Sequence, residues 1–142
     1  MILQEKKLNL LELDAKYYLV HCISADYKMD TIISEKLDKK FNLKSQFRSI
    51  EESGTYIKKG TSWIIGKTIN LITKSKYYEK TTYETIELTF SDMKETCQLE
   101  NIKHLAIPLI VFKLEGLSLN MVRELINNTF RDTEFEILIG PL

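Results

Sequence analysis

The run Tyr17-Tyr18-Leu19-Val20-His21-Cys22-Ile23 constrains this chain most. Seven β-favouring residues without polar alternation make a strand that is buried on both faces. Such a strand needs a layer above and a layer below it, and amphipathic helices supply them. The hydrophobic period changes soon afterwards: Ile33, Leu37 and Phe41 recur every four residues, which predicts a helix from Thr31 to Phe41 with Asp30 as its N-cap. A second short helix is expected from Lys44 to Glu52, stopping at Ser53-Gly54.

The rest of the chain continues the alternation. Thr55 to Lys58, Ser62 to Ile65 and Thr68 to Thr73 read as short strands, with Gly60 and Gly66 as turns. Thr82 to Leu99 has the longest helical period, its stripe being Ile86, Phe90, Met93 and Cys97. Leu105 to Pro108 reads as a strand, Leu119 to Phe130 as a helix capped by Ser118, and Phe135 to Ile139 as a last strand. The opening segment, ending Leu8-Asn9-Leu10-Leu11, reads as a strand too. Consecutive strands before Thr73 make the sheet mixed, so the expected fold is a three-layer α/β/α sandwich in one domain, residues 1–142.

Composition excludes several function classes. An apolar fraction of 44% and a charged fraction of 28% are those of a globular chain. Twenty basic residues balance twenty acidic ones, which gives no general attraction to nucleic acid or anionic membrane. The stretch Lys36, Lys39, Lys40, Lys44 and Arg48 leaves a nucleic-acid partner open without favouring it. Cys22 and Cys97 form neither a disulfide framework nor a zinc spacing, and His104 has no metal partners near it, so no metal or cofactor is expected. Reduced thiols and the absence of a long apolar run point to a cytoplasmic protein with no membrane partner.

In a layered α/β fold, ligands bind beyond the carboxyl ends of the strands. Ser24, Lys74 and Glu115 follow three such ends, bringing a hydroxyl, an amine and a carboxylate. By spacing alone Lys74 is a solvated strand-end lysine, Ser24 a turn hydroxyl, Glu115 a loop acid and His21 a core histidine. Tyr77, Tyr78 and Tyr83 either pack or stack on a base or ribose.

The ordered series His21-Cys22-Ile23-Ser24, Met29, Lys39-Lys40-Phe41, Leu71-Ile72-Thr73-Lys74, Thr82-Tyr83-Glu84, Ile107-Pro108 and Leu114-Glu115 resembles the macrodomain family. It is most similar to the terminal ADP-ribose protein glycohydrolase branch and to the antitoxin macrodomains, over nearly the whole chain from Lys7 to Leu138. The resemblance implies a macrodomain-like sandwich with a cleft for ADP-ribose or an ADP-ribosylated macromolecule. It further implies that Lys74 attacks the ribose carbon bearing the modified group and that Glu115 resolves the adduct. An amine attacks only when unprotonated, so the lysine needs desolvation or a nearby proton acceptor. Ser24 and Met29, with Asn9 and Leu10 at the adenine, and Val111, Phe112, Lys113 and Leu114 at the diphosphate, occupy the positions implied to bind ligand.

Several positions depart from the family pattern. The matched carboxylate is normally aspartate, and the glutamate adds a methylene. A first loop that normally reads Met-Gly-x-Gly is Met29-Asp30-Thr31-Ile32, and the glycines of the second are replaced within Val111-Phe112-Lys113. Glycine lets a backbone N–H approach a phosphate closely, which β-branched Ile32 and Val111 do not. Phe112 would fill the cleft, Asp30 would repel an anion, and Lys113 would replace lost N–H donors. Two function classes follow: a hydrolase removing ADP-ribose from protein carboxylates or nucleobases, and a catalytically inactive relative with a plugged cleft that acts in binding or protein interaction.

Overall fold

The fold was obtained as a computed structural model, and its description covers residues 1–9 and 12–140. Six strands, β1 (Ile2–Glu5), β2 (Tyr18–Ser24), β3 (Ser62–Ile65), β4 (Thr68–Lys74), β5 (His104–Pro108) and β6 (Glu136–Gly140), form one sheet in the order β1-β6-β5-β2-β4-β3. All neighbours pair in parallel except β3, which runs antiparallel to β4. The sheet is therefore mixed, as the adjacent strand patterns require. Gly66, at φ +56°, supplies the left-handed backbone of the tight β3–β4 turn.

Five helices complete the architecture: α1 (Ile32–Phe41), α2 (Leu43–Glu52), α3 (Tyr83–Leu99), α4 (Ile110–Lys113) and α5 (Leu119–Phe130). The alternation of side chains along β2 explains its unbroken apolar run. Val20 and Cys22 enter one core with Ile86, Phe90 and Met93 of α3 and with Val122 and Ile126 of α5. Leu19 and Ile23 enter the other, beneath Leu37 of α1 and Leu43 and Phe47 of α2. Each face buries its own helical layer, and β2 lies between them.

That second face also holds a polar group at the centre of the strand. Asn70 donates through Nδ2 to Trp63 O (3.0 Å) and to Thr68 Oγ1 (3.1 Å), so its Oδ1 accepts from Nε2–H of His21. Among the described residues nothing partners His21 Nδ1. Burial pushes the imidazole down to about 4, against the opposing effect of its hydrogen bond to Asn70. His21 is a neutral core residue with one satisfied nitrogen.

Four local readings change. Thr31, not Asp30, is the N-cap of α1, its Oγ1 accepting from Ser34 N at 3.1 Å. Thr55 to Lys58 forms no strand, since only Ile57 is buried there and the segment has no ladder partner. The first strand is Ile2–Glu5, and of the segment expected to extend it, Leu10 and Leu11 lie outside the described residues. Ser118 stands at the N-cap of α5 without a side-chain cap, its backbone N–H donating instead to Tyr83 Oη at 2.8 Å. Among the described residues no helix is long and apolar enough to cross a membrane.

Candidate active site

Parallel pairing brings the carboxyl ends of β2, β4, β5 and β6 to one edge of the sheet. Ser24 ends β2 and Lys74 ends β4, and the two are register partners beyond a bulge at Ile23/Ser24. Bulges re-aim side chains at strand ends. Glu115 arrives from the opposite side, on the turn after α4, where Gly116 takes φ +80°.

The result is a contact pair. Lys74 Nζ lies 3.2 Å from Glu115 Oε2, with the two side chains only 17% and 9% exposed. The Thr81 hydroxyl, itself buried, donates to the same Oε2. Cys22 lies within the electrostatic reach of both partners: burial pushes its thiol well above the usual range, the Glu115 charge adds to that, and Lys74 opposes it. The thiol is therefore neutral and buried within the pair's electrostatic reach. An amine and a carboxylate in contact, in a partly dry position, make an ion pair across which a proton can pass.

Ser24 has its hydroxyl hydrogen-bonded within the loop that follows β2. Its Oγ donates to Asp26 Oδ1, and Asp26 Oδ2 accepts from Tyr77 N at 3.2 Å. Burial raises the Asp26 carboxyl. The Ser24 hydroxyl, the N–H groups of Tyr77 and Lys28 and the charge of Lys76 outweigh it and hold the group below its ordinary range. Asp26 thus clasps the loop after β2 to the loop after β4, on either side of Lys74. Ala25 N, donating to Lys74 O at 2.8 Å, closes the same seam.

The remaining predicted residues lie in several different settings. Val111 and Phe112 are buried in the larger core, Phe112 with no exposure and edge-on to Phe90 at 5.7 Å. Its ring points into the core rather than into a cleft, because Val111 and Phe112 form the inner face of α4. Lys113 and Leu114 are exposed beside Glu115. Met29 is buried, at φ +52°, in the smaller core. Asn9 lines a separate cavity of about 300 Å³ with Lys6, Lys7, Glu12 and Tyr17, which includes neither Lys74 nor Glu115. Leu10 lies outside the described residues. Tyr77 and Tyr78 pack edge-to-face at 5.4 Å with Lys28 over the Tyr77 ring. Among the described residues no group of His, Cys, Asp and Glu is placed to hold a metal ion.

No protein-family model matches the chain. Over 127 residues it is 30% identical to the ADP-ribose glycohydrolase OARD1 of Bos taurus, a match covering 87% of this chain and 81% of that protein. The macrodomain of Mycobacterium tuberculosis DarG superposes with a TM-score of 0.86 at 17% identity, over 99% of this chain and 98% of that one. The chain belongs to the macrodomain family. Thermosipho africanus DarTG, solved in complex with ADP-ribose, matches this macrodomain with a TM-score of 0.74 at 16% identity, over 91% of this chain and 40% of that one.

In this macrodomain the second loop has become a helical turn. Phe112 N and Lys113 N donate to Leu109 O, Leu114 N to Ile110 O, Glu115 N to Phe112 O and Gly116 N to Lys113 O. N–H groups spent in this way are not offered to an anion. Asp26 and Thr81 are the residues around this pair that the sequence pattern did not single out. The hydroxyl-to-carboxylate spacing of Ser24 and Asp26 was a signal for the first. Thr81, beside the N-cap Thr82 of α3, carried none.

Proposed function

We propose that this macrodomain takes an ADP-ribosyl group at the strand-end cleft and releases it from a modified protein carboxylate or nucleobase by lysine-dependent hydrolysis. The contact of Lys74 Nζ with Glu115 Oε2, in a largely buried position at the end of β4, carries this reading. Glycohydrolase activity in the name of the OARD1 relative supports it.

In this scheme Glu115 accepts a proton from Lys74. The freed lone pair forms a bond to the ribose carbon as the bond to the leaving group breaks, its electron pair departing with the carboxylate or base. Water then displaces the amine at the same carbon. The C–N electron pair returns to Lys74, which takes a proton from that water, and Glu115 gives its own proton to solvent. Lys113, exposed at the end of α4, is the phosphate-side cation in place of the missing glycine N–H groups. Asn9 and Leu10 stand at the family's adenine positions, Asn9 lining its own cavity of about 300 Å³, and one domain, residues 1–142, carries the whole site.

A second reading, binding without turnover, is favoured by the N–H groups that α4 consumes. Titration calorimetry with ADP-ribose and release assays on a glutamate-ADP-ribosylated peptide separate the two. The hydrolase reading expects release by the wild type and a fall of roughly a hundredfold or more in Lys74→Ala. Binding with no release by the wild type leaves the second reading, and release by Lys74→Ala at the wild-type rate removes the lysine from the mechanism.

A further inference from the structure

A carboxylate on a glutamate has one more rotatable bond than on an aspartate, and catalytic geometry is held to about half an ångström in working sites. The extra methylene of Glu115 therefore has to be immobilised by something outside the Lys74 contact. The structure supplies one donor for this. Thr81 Oγ1 donates to Oε2, the same oxygen that faces Lys74 Nζ. Thr81 is only 7% exposed, so water has limited access to this bond.

Thr81 is itself fixed. The next residue, Thr82, caps α3 by accepting from Thr85 N at 3.2 Å. One residue further on, Tyr83 Oη accepts from Ser118 N at 2.8 Å. The first turn of α3 thus holds the segment after Glu115 through its backbone while Thr81 holds the carboxylate. A carboxylate oxygen has two lone pairs, one for each donor, so proton transfer from Lys74 leaves the Thr81 bond in place.

We propose that Thr81 is a positioning residue, which aims the Glu115 carboxylate at Lys74 and offsets the freedom added by the longer side chain. This rests on the lysine-dependent hydrolase reading, and its test has a readout that does not depend on turnover. The rate at which trinitrobenzenesulfonate modifies Lys74 is followed against pH by peptide mass spectrometry, beside kcat and KM on a glutamate-ADP-ribosylated peptide. Thr81→Val, close in shape but without the hydroxyl, should lower kcat roughly tenfold to a hundredfold with KM nearly unchanged, and should shift the pH profile of Lys74 labelling. Thr81→Ser should restore both to within about twofold, because it keeps the donor. In a Glu115→Gln background Thr81→Val should add nothing, since the two residues act as a unit. Thr81→Ala substitutes for the valine if that variant does not fold.

A Thr81→Val protein with a wild-type labelling profile overturns the proposal, as does an equal effect in the Glu115→Gln background. A wild type that labels at Lys74 but never releases ADP-ribose overturns the hydrolase reading instead. The labelling shift would then still report the positioning.

Discussion

The floor of the candidate cleft and its two rims are built on opposite terms. At the floor, Lys74, Glu115 and Thr81 meet through polar contacts that leave the reactive groups facing one another. At the rims, polar groups are used up internally. Thr31 accepts from Ser34 N at the start of α1, while the second loop winds into α4 and buries Val111 and Phe112. Lys74 ends a strand held by a sheet that is fixed on both faces, and Glu115 and Thr81, on the turns after α4 and before α3, meet it through side-chain contacts. Loops depend on single residues for their backbone conformation, and loss of glycine redirects them. Side-chain contacts at a strand end and the conformations of the loops beside it can therefore diverge separately in one fold.

The strongest way to break this contrast is Phe112→Ala. A ring embedded in the core against Phe90 should cost about 3–5 kcal/mol when removed, measured by urea unfolding. Unchanged stability with a gain in ADP-ribose affinity would place the ring in the cleft instead. Next in size is a pH effect that belongs to the strand beneath the floor. The His21 pKa is lowered from 6.5 to about 4 by burial, so the unfolded chain binds more protons between those values and stability rises with pH across that window. His21→Gln should flatten the dependence between about pH 4 and 6.5 in unfolding midpoints, and a dependence as steep as in the wild type would exclude His21 as its source.

Thr31→Ala tests the first rim. Loss of the α1 cap should lower stability by about 1 kcal/mol while leaving Lys74 labelling as it is. A change in labelling would show that rim and floor are coupled. The smallest effect is expected of Lys113→Ala, where ADP-ribose affinity measured by calorimetry should fall roughly fivefold or less and the difference should vanish in high salt. A salt-independent loss would mean that Lys113 acts through something other than its charge.

Lys74 was legible as a residue type at a strand end, because strand termini show in the hydrophobic pattern, and Glu115, on the turn after α4, by its match to the family series. Asp26 and Thr81 were not. Their value lies in contacts across 51 and 34 residues of sequence, with Tyr77 N and Glu115, and no local period encodes those. The side-chain direction of Phe112 was hidden for a related reason. Loss of glycine in a loop signals a changed backbone, but whether the new side chain turns inward depends on the helical turn that forms there.

The alternation of buried strand runs and four-residue helical periods was by itself enough to settle the layers, the mixed sheet and the edge at which a site has to lie. Burial and period are local properties of the chain, so they are written locally. The order β1-β6-β5-β2-β4-β3, the meeting of Lys74 with Glu115, the clasp of Asp26 and the inward turn of Phe112 were decided only in the folded molecule. Each depends on which distant segments pack side by side, and that is settled by the joint free energy of the whole core rather than by any stretch of sequence.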